Sequence, residues 1–225
     1  MKKLKSLCII ALCICLIAGV FAGCTKKISL EGTWKTTIDL TDFVKQLDLS
    51  GEEDGEYYGT FDESLSVDLL YTFDSENAFT VSIDEEKFKT DYDALCEKYY
   101  DYAVEGAYKY GEANGLTRAQ MDEFYQEDYG MSIRESLVDE LAMEEAYTEF
   151  VNEVQTTEKQ ATLIEDDRAY ETDEQGNKTG YETFVLEGDT LTITGSFDME
   201  DKPVKDNENF VYPMIFTKQA AQAAA

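Results

Sequence analysis

The 225-residue chain contains no histidine, two prolines, one tryptophan and only 19 lysines and arginines. Without imidazole there is no Ser-His-Asp or Cys-His relay, no histidine metal ligand and no side chain that ordinarily exchanges protons near neutral pH. The few cations face 48 acidic residues, for a formal charge of −29 and an isoelectric point near 4.1. Such a chain repels phosphate backbones, which excludes nucleic acid as a partner, since binding it depends on Lys and Arg neutralising phosphates. A phosphate loop, a dinucleotide fingerprint and a calcium loop of the form Asp-x-Asp-x-Asp-Gly are also missing, so neither a cofactor nor a metal is expected. No Ser- or Pro-rich linker and no internal repeat divides the chain. Its 43 % hydrophobic and 12 % aromatic content is nonetheless too rich for disorder, and its length suits one domain with a sizeable insertion.

Residues 1–23 read as a signal peptide: Lys2, Lys3 and Lys5 precede an apolar run from Leu7 to Val20 and the small residues Ala22 and Gly23. The run is too short to favour a permanent span, which needs about 20 apolar residues. Phe21-Ala22-Gly23-Cys24 resembles the lipobox of bacterial lipoproteins, with Phe21 where Leu, Val or Ile is usual. The resemblance implies cleavage before Cys24 and its acylation with diacylglycerol and a palmitate-type chain, and two or more acyl chains suffice for stable anchoring. The protein is therefore expected outside the cytoplasm, attached to the bacterial cell membrane through the lipid on Cys24, with residues 24–27 as a tether. Cys8, Cys13 and Cys15 leave with the signal, so Cys96 alone remains and no internal disulfide can form. Cys96 lies in a helical apolar pattern beside Leu95 and Tyr99, the setting of a buried structural thiol.

From Leu30 the chain reads as strand, with Leu30, Trp34, Thr36, Ile38 and Leu40 on one parity. A Gly- and acid-rich stretch from Ser50 to Gly59 predicts a solvated loop. Leu65, Val67, Leu69, Tyr71 and Phe73 then alternate, the turn Asp74-Ser75-Glu76-Asn77 follows, and Phe79, Val81 and Ile83 alternate again, the pattern of a hairpin. Later strand signals fall at Thr162–Ile164, Arg168–Thr172, Tyr181–Leu186, Leu191–Phe197 and Phe210–Lys218, leaving residues 219–225 as a frayed tail. Between the third and fourth strands the period changes. Phe88, Tyr92, Leu95, Tyr99 and Ala103 recur at three and four, predicting a helix that stops near Gly111 or Gly115. Thr117 with Gln120 and Ser132 with Glu135 have capping-box spacing, predicting a second helix to Gly130 and a third to about Val151.

The expected fold is thus mainly β and α+β overall: an antiparallel up-and-down barrel of about eight strands, residues 28–218, with a three-helix insertion at 85–151 after the third strand. Gly32-Thr33-Trp34 at the start of the first strand resembles the Gly-x-Trp of the lipocalin-like group of the calycin superfamily. That likeness implies a tryptophan closing the barrel bottom under a basic side chain from the last strand, here Lys218, with Gly32, Trp34 and Lys218 as structural residues. With the closing Tyr-Pro-x-x-Phe-Thr-Lys, the chain also looks like uncharacterised lipoproteins of gut-dwelling Firmicutes.

Three functions follow as expectations. The first is a lipocalin-like barrel binding a small apolar or amphipathic ligand. The second is a surface module using the Tyr-rich insertion to engage a protein or glycan, with Tyr100, Tyr102 and Tyr110 as its exposed rings and Tyr92 and Tyr99 as packers. The third is a carboxylate-dependent hydrolase, for which no pair among 48 acids stands out and no catalytic residue is named.

Overall fold

The computed structural model describes residues 28–51, 55–155, 159, 162–172, 175–204 and 212–220. The leader, Cys24, the tether and residues 221–225 lie outside these. By its internal packing the chain divides into two units, one built from Ile38–Val67 and Glu85–Phe150, the other from residues 28–37, Asp68–Asp84 and 151–220.

Eight strands form one sheet: β1 (Gly32–Asp39), β2 (Ser66–Phe73), β3 (Phe79–Ile83), β4 (Leu163–Glu165), β5 (Arg168–Thr172), β6 (Lys178–Glu187), β7 (Thr190–Asp198) and β8 (Met214–Lys218). Their order is β3-β2-β1-β8-β7-β6-β5-β4. The registers run antiparallel from β4 to β8, between β8 and β1, and between β2 and β3. Thr33 opposite Thr72 and Thr37 opposite Asp68 give β1 and β2 the same relation. The order is a meander whose first and last strands pair and whose two ends are β3 and β4, the strands separated in sequence by the helical segment.

Alternation explains the strands. Val67, Leu69 and Tyr71 are buried on β2, as are Phe79, Val81 and Ile83 on β3, and Phe73 pairs with Phe79 across the turn. Asp74 closes that turn, its carboxylate accepting from the Glu76 and Ala78 amides. A β-bulge shifts the β6/β7 register after Thr183, where Thr194 is the extra residue, and bends the ribbon. β8 starts at Met214, directly after Pro213, which cannot donate to a ladder; Phe210, the expected start of the strand, lies outside the described residues.

The helical unit opens with the single turn α1 (Thr41–Val44), and its long helices are α2 (Glu85–Ala113), α3 (Arg118–Asp128), α4 (Ile133–Leu141) and the start of α5 (Met143–Val154). Both capping boxes are made, by Thr117 with Gln120 and Ser132 with Glu135. The segment expected to hold three helices holds four, because the third breaks at Ala142, whose φ of 47° is left-handed. The apolar positions show why. Ile133, Leu137 and Leu141 recur at four, and a continuous helix would bring Glu144 and Glu145 onto that face next. Met143, Tyr147, Phe150 and Val154 begin a new stripe two residues out of phase, and a left-handed residue resets the phase. The break is secured by the Tyr92 hydroxyl, which donates to the Met143 carbonyl at 2.8 Å.

Two glycines inside α2 are notches. A Cβ on Gly106 would lie 2.0 Å from the Tyr58 ring, and one on Gly111 1.9 Å from the Met121 sulfur, so neither position tolerates even alanine without displacement. Gly111 therefore lies within the helix and docks α3, and the chain turns at Gly115, with φ of 85°. The expected solvated loop is also partly tied down. Residues Gly55–Tyr57 form a 3-10 turn, and Tyr102 holds both sides of the loop.

Candidate functional site

In the sheet unit, Trp34 and Lys218 are register partners across β1 and β8. The Trp34 ring is 1 % exposed, its Nε1 donates to the Leu30 carbonyl at 2.6 Å, and Lys218 Nζ lies 5.2 Å from the ring centroid. Gly32 has a φ of 120°, and a Cβ there would lie 2.7 Å from Lys218 Cε, so the missing side chain is what lets the lysine stem reach the indole. Asn77, also buried, accepts from the Leu30 amide and donates to the Ile28 carbonyl, tying the entry to β1 to the β2–β3 turn. The indole N–H and both ends of the Asn77 amide are hydrogen-bonded within the cluster and the Lys218 ammonium faces the ring, which suits structure rather than recognition.

The three tyrosines singled out from the sequence have different fates. Tyr100 is buried, with the Arg134 guanidinium 5.3 Å from its ring, which removes it from any exposed surface. Tyr102 is half-buried and pinned: its hydroxyl accepts from the Leu49 amide at 2.9 Å and lies 3.0 Å from both the Asp48 carboxylate and the Gly59 carbonyl. Burial pushes its pKa up to about 12. Only Tyr110 is exposed, edge-on to Tyr57 at 5.5 Å. The expected surface of Tyr100, Tyr102 and Tyr110 is thus corrected to a single exposed ring, because α2 packs against other elements along two faces. Tyr92 and Tyr99 are core residues, and Tyr99 meets Phe61 edge-on at 5.3 Å. Cys96 is buried and burial pushes its thiol up to about 11, the state of an inert cysteine.

A cleft of about 460 Å3 opens in the helical unit between the end of β1, the 63–66 segment and α2. Asp39, Glu63 and Asp91 line it with Thr41, Ser64, Ser66 and Lys98. Each carboxylate is already engaged: Asp39 by Thr41, whose hydrogen bonds hold it below the usual range, Glu63 by Lys98 at 2.7 Å and Asp91 by Lys87 at 2.9 Å. A general acid needs a carboxyl held protonated, and Asp39 is shifted the opposite way. Among the described residues no group of three or more acids and cysteines is arranged to hold a metal ion. A cleft so polar also does not suit an apolar ligand.

The most exposed aromatic surface lies elsewhere, on α3. Met121 is the one buried residue of that helix. Phe124 and Tyr129 are 49 % and 57 % exposed, with half-buried Tyr125 between them. The three rings touch pairwise, with centroids 5.9 Å apart for Phe124–Tyr125, 6.0 Å for Phe124–Tyr129 and 5.3 Å for Tyr125–Tyr129. Glu127 and Asp128 stand three and four residues after Phe124, on its side of the helix, and Glu123 precedes it. The signal for this patch was in the sequence. Residues 118–128 have too few apolar side chains to bury a face, so the rings they carry must show. The chain matches no protein-family model, no curated protein and no solved structure.

Proposed function

We propose that this protein is a lipid-anchored, extracytoplasmic interaction module without catalysis, in which a lipocalin-like sheet carries a helical insertion that does the recognition. The observation behind this reading is the exposed ring triad of α3, set against a sheet whose buried positions are filled with rings. Tyr71 stacks on Phe79 at 5.8 Å and meets Phe216 edge-on at 5.2 Å, and with Trp34 these leave a packed layer rather than a ligand chamber. A small apolar ligand held by the sheet ranks below the interaction reading for that reason. The strand order supports a barrel-like arrangement with its seam between β3 and β4, where the insertion enters and leaves.

The membrane part of the proposal rests on Lys2, Lys3, Lys5, the apolar run and Cys24. No described helix is long and apolar enough to cross a membrane. Acylation of Cys24 is the attachment proposed; cleavage before it removes Lys2, Lys3 and Lys5 and no acid, so the anchored chain, with 48 acids against 16 bases and a net charge of −32, would be held off an anionic lipid surface.

The test compares the full chain with a variant in which residues 116–131, the α3 excursion, are replaced by a short Gly-Ser bridge. Saturable binding to immobilised cell-surface proteins and uptake of an apolar probe dye are both measured. Loss of protein binding with unchanged dye uptake is expected. Undiminished binding by the variant, or stoichiometric dye uptake by the full chain, overturns the reading.

A further inference from the structure

Among the described residues, five tyrosine rings carry a cation over one face, and each of those cations also pairs with a carboxylate. Lys89 Nζ lies 5.2 Å from the Tyr147 centroid and pairs with Asp93 and Glu144. Arg118 lies 4.8 Å over Tyr108 and pairs with Glu105 and Glu112. Arg134, over Tyr100, reaches Glu97 and Asp101. Arg168 lies 4.3 Å over Tyr181 with Asp201, and Lys178 lies 3.6 Å over Tyr170 with Glu165. The physical reason is common to all: the negative ring face and the carboxylate attract the same cation from two directions.

The α3 triad has both halves of this arrangement and, among the described residues, lacks the cation. Arg118 is the only base in α3, and it is engaged at Tyr108 with Glu105 and Glu112. Among the described residues, no ion pair or hydrogen bond engages the side chains of Glu123, Glu127 or Asp128, and all three are exposed. With 19 bases for 48 acids, the chain has few cations of its own to place there. Resting on the interaction reading above, we propose that Phe124, Tyr125 and Tyr129, with Glu123, Glu127 and Asp128, form a docking patch for a cationic polypeptide segment that lays Lys or Arg side chains on the rings. Charge complementarity selects this occupant. A second copy of the chain and an anionic lipid surface are both repelled by a net −29, and a neutral glycan would stack on the rings but leave the acids unused.

The experiment titrates the full chain with a fluorescent peptide of alternating Arg and Gly. Phe124→Ala with Tyr129→Ala leaves charge unchanged, Glu127→Gln with Asp128→Asn removes the local acids, and Glu187→Gln with Asp189→Asn removes two acids from the β6–β7 turn. All six side chains lie at the surface, so circular dichroism and thermal midpoints should match the parent. The ring variant should bind about tenfold more weakly. The α3 acid variant should lose several-fold and show a shallower fall in affinity as salt rises from about 20 to about 200 mM. The β6–β7 variant should stay within about twofold of the parent. Parent-like affinity in the ring variant overturns the proposal, as does equal weakening by the two acid variants, which would assign the binding to net charge alone. Tighter, salt-insensitive, ring-dependent binding of a neutral glucan oligomer also overturns it, in favour of a glycan. If the peptide fails while replacement of residues 116–131 still abolishes binding to surface proteins, the docking proposal falls and the interaction reading stands.

Discussion

Gly32→Ala tests the Trp34 cluster at its most constrained atom. The backbone there has φ of 120°, and an added Cβ would lie 2.7 Å from Lys218 Cε. Holding an L-residue in a conformation that only glycine adopts freely costs about 1–3 kcal/mol. Pushing the lysine off the indole forfeits about 0.5–1 kcal/mol more. The sum is about 1.5–4 kcal/mol, and with a urea slope of about 2 kcal/mol/M, the middle of the usual range, the unfolding midpoint should fall by about 0.7–2 M. Trp34 is the only tryptophan, so intrinsic fluorescence follows this site without labelling. At 1 % exposure its folded emission should be blue-shifted and should move red on unfolding. Lys218→Ala alone should cost about 0.5–1 kcal/mol. The double variant should cost less than the two singles added, by at least about 0.5 kcal/mol, because both remove the same contact. An unchanged midpoint in Gly32→Ala, strict additivity in the cycle, or a solvent-like emission maximum in the parent would refute the reasoning.

Three further outcomes are expected. With Cys8, Cys13, Cys15 and Cys24 replaced by serine, Cys96 should resist a thiol reagent until the protein unfolds. Its folded pKa of about 11 lies above the ordinary value of 9.0, so the native state holds the proton more tightly. Stability should therefore be intact below pH 9 and decline between pH 9 and 11; a flat profile across that window would count against burial of the thiol. Ala142→Gly should stabilise the protein by about 0.5–1 kcal/mol in thermal unfolding, since a left-handed alanine costs about 1–2 kcal/mol and glycine returns part of that as unfolded-state entropy. A lowered midpoint would show that the left-handed turn does not govern the α4–α5 break. Cys24→Ser should abolish incorporation of labelled fatty acid and release the chain from the membrane fraction; labelled, membrane-bound Cys24→Ser would remove the lipid anchor from the proposal.

Much of the sheet was readable because its signal is local. The alternation of Val67, Leu69 and Tyr71, the Asp74–Asn77 turn and the alternation of Phe79, Val81 and Ile83 all lie within one short window, and a half-buried hairpin requires nothing else. The helix starts were equally local, since a capping box joins residues three apart. The break at Ala142 was also present in the sequence, though as phase rather than composition. Counting apolar residues from Ile133 to Phe150 suggests one helix, whereas tracking their angular positions places Glu144 and Glu145 on the stripe and forces a break.

Which tyrosines remain exposed was not readable, because the groups that cover them come from far along the chain. Tyr102 is fixed by Asp48 and Leu49, more than fifty residues away, and Tyr100 is covered by Arg134 from another helix. Helical spacing alone leaves Tyr100 and Tyr102 as outward candidates, and only the tertiary partners decide. An excess of 48 over 19 reads from composition as a uniformly solvated negative surface, yet in the structure five of the cations sit at tyrosine faces flanked by carboxylates. Two of these cations tie together elements distant in sequence: Arg134 of α4 joins Glu97 and Asp101 of α2, and Lys89 of α2 joins Glu144 and Tyr147 of α5. Exposed pairs of this kind contribute only about 0–1 kcal/mol each, so their value lies more in orienting the helices than in holding the chain folded. The α3 ring cluster, with exposed acids, no cation among the described residues and a single buried side chain in its helix, is then a place where this pattern stops, and where a cation from outside meets little competition.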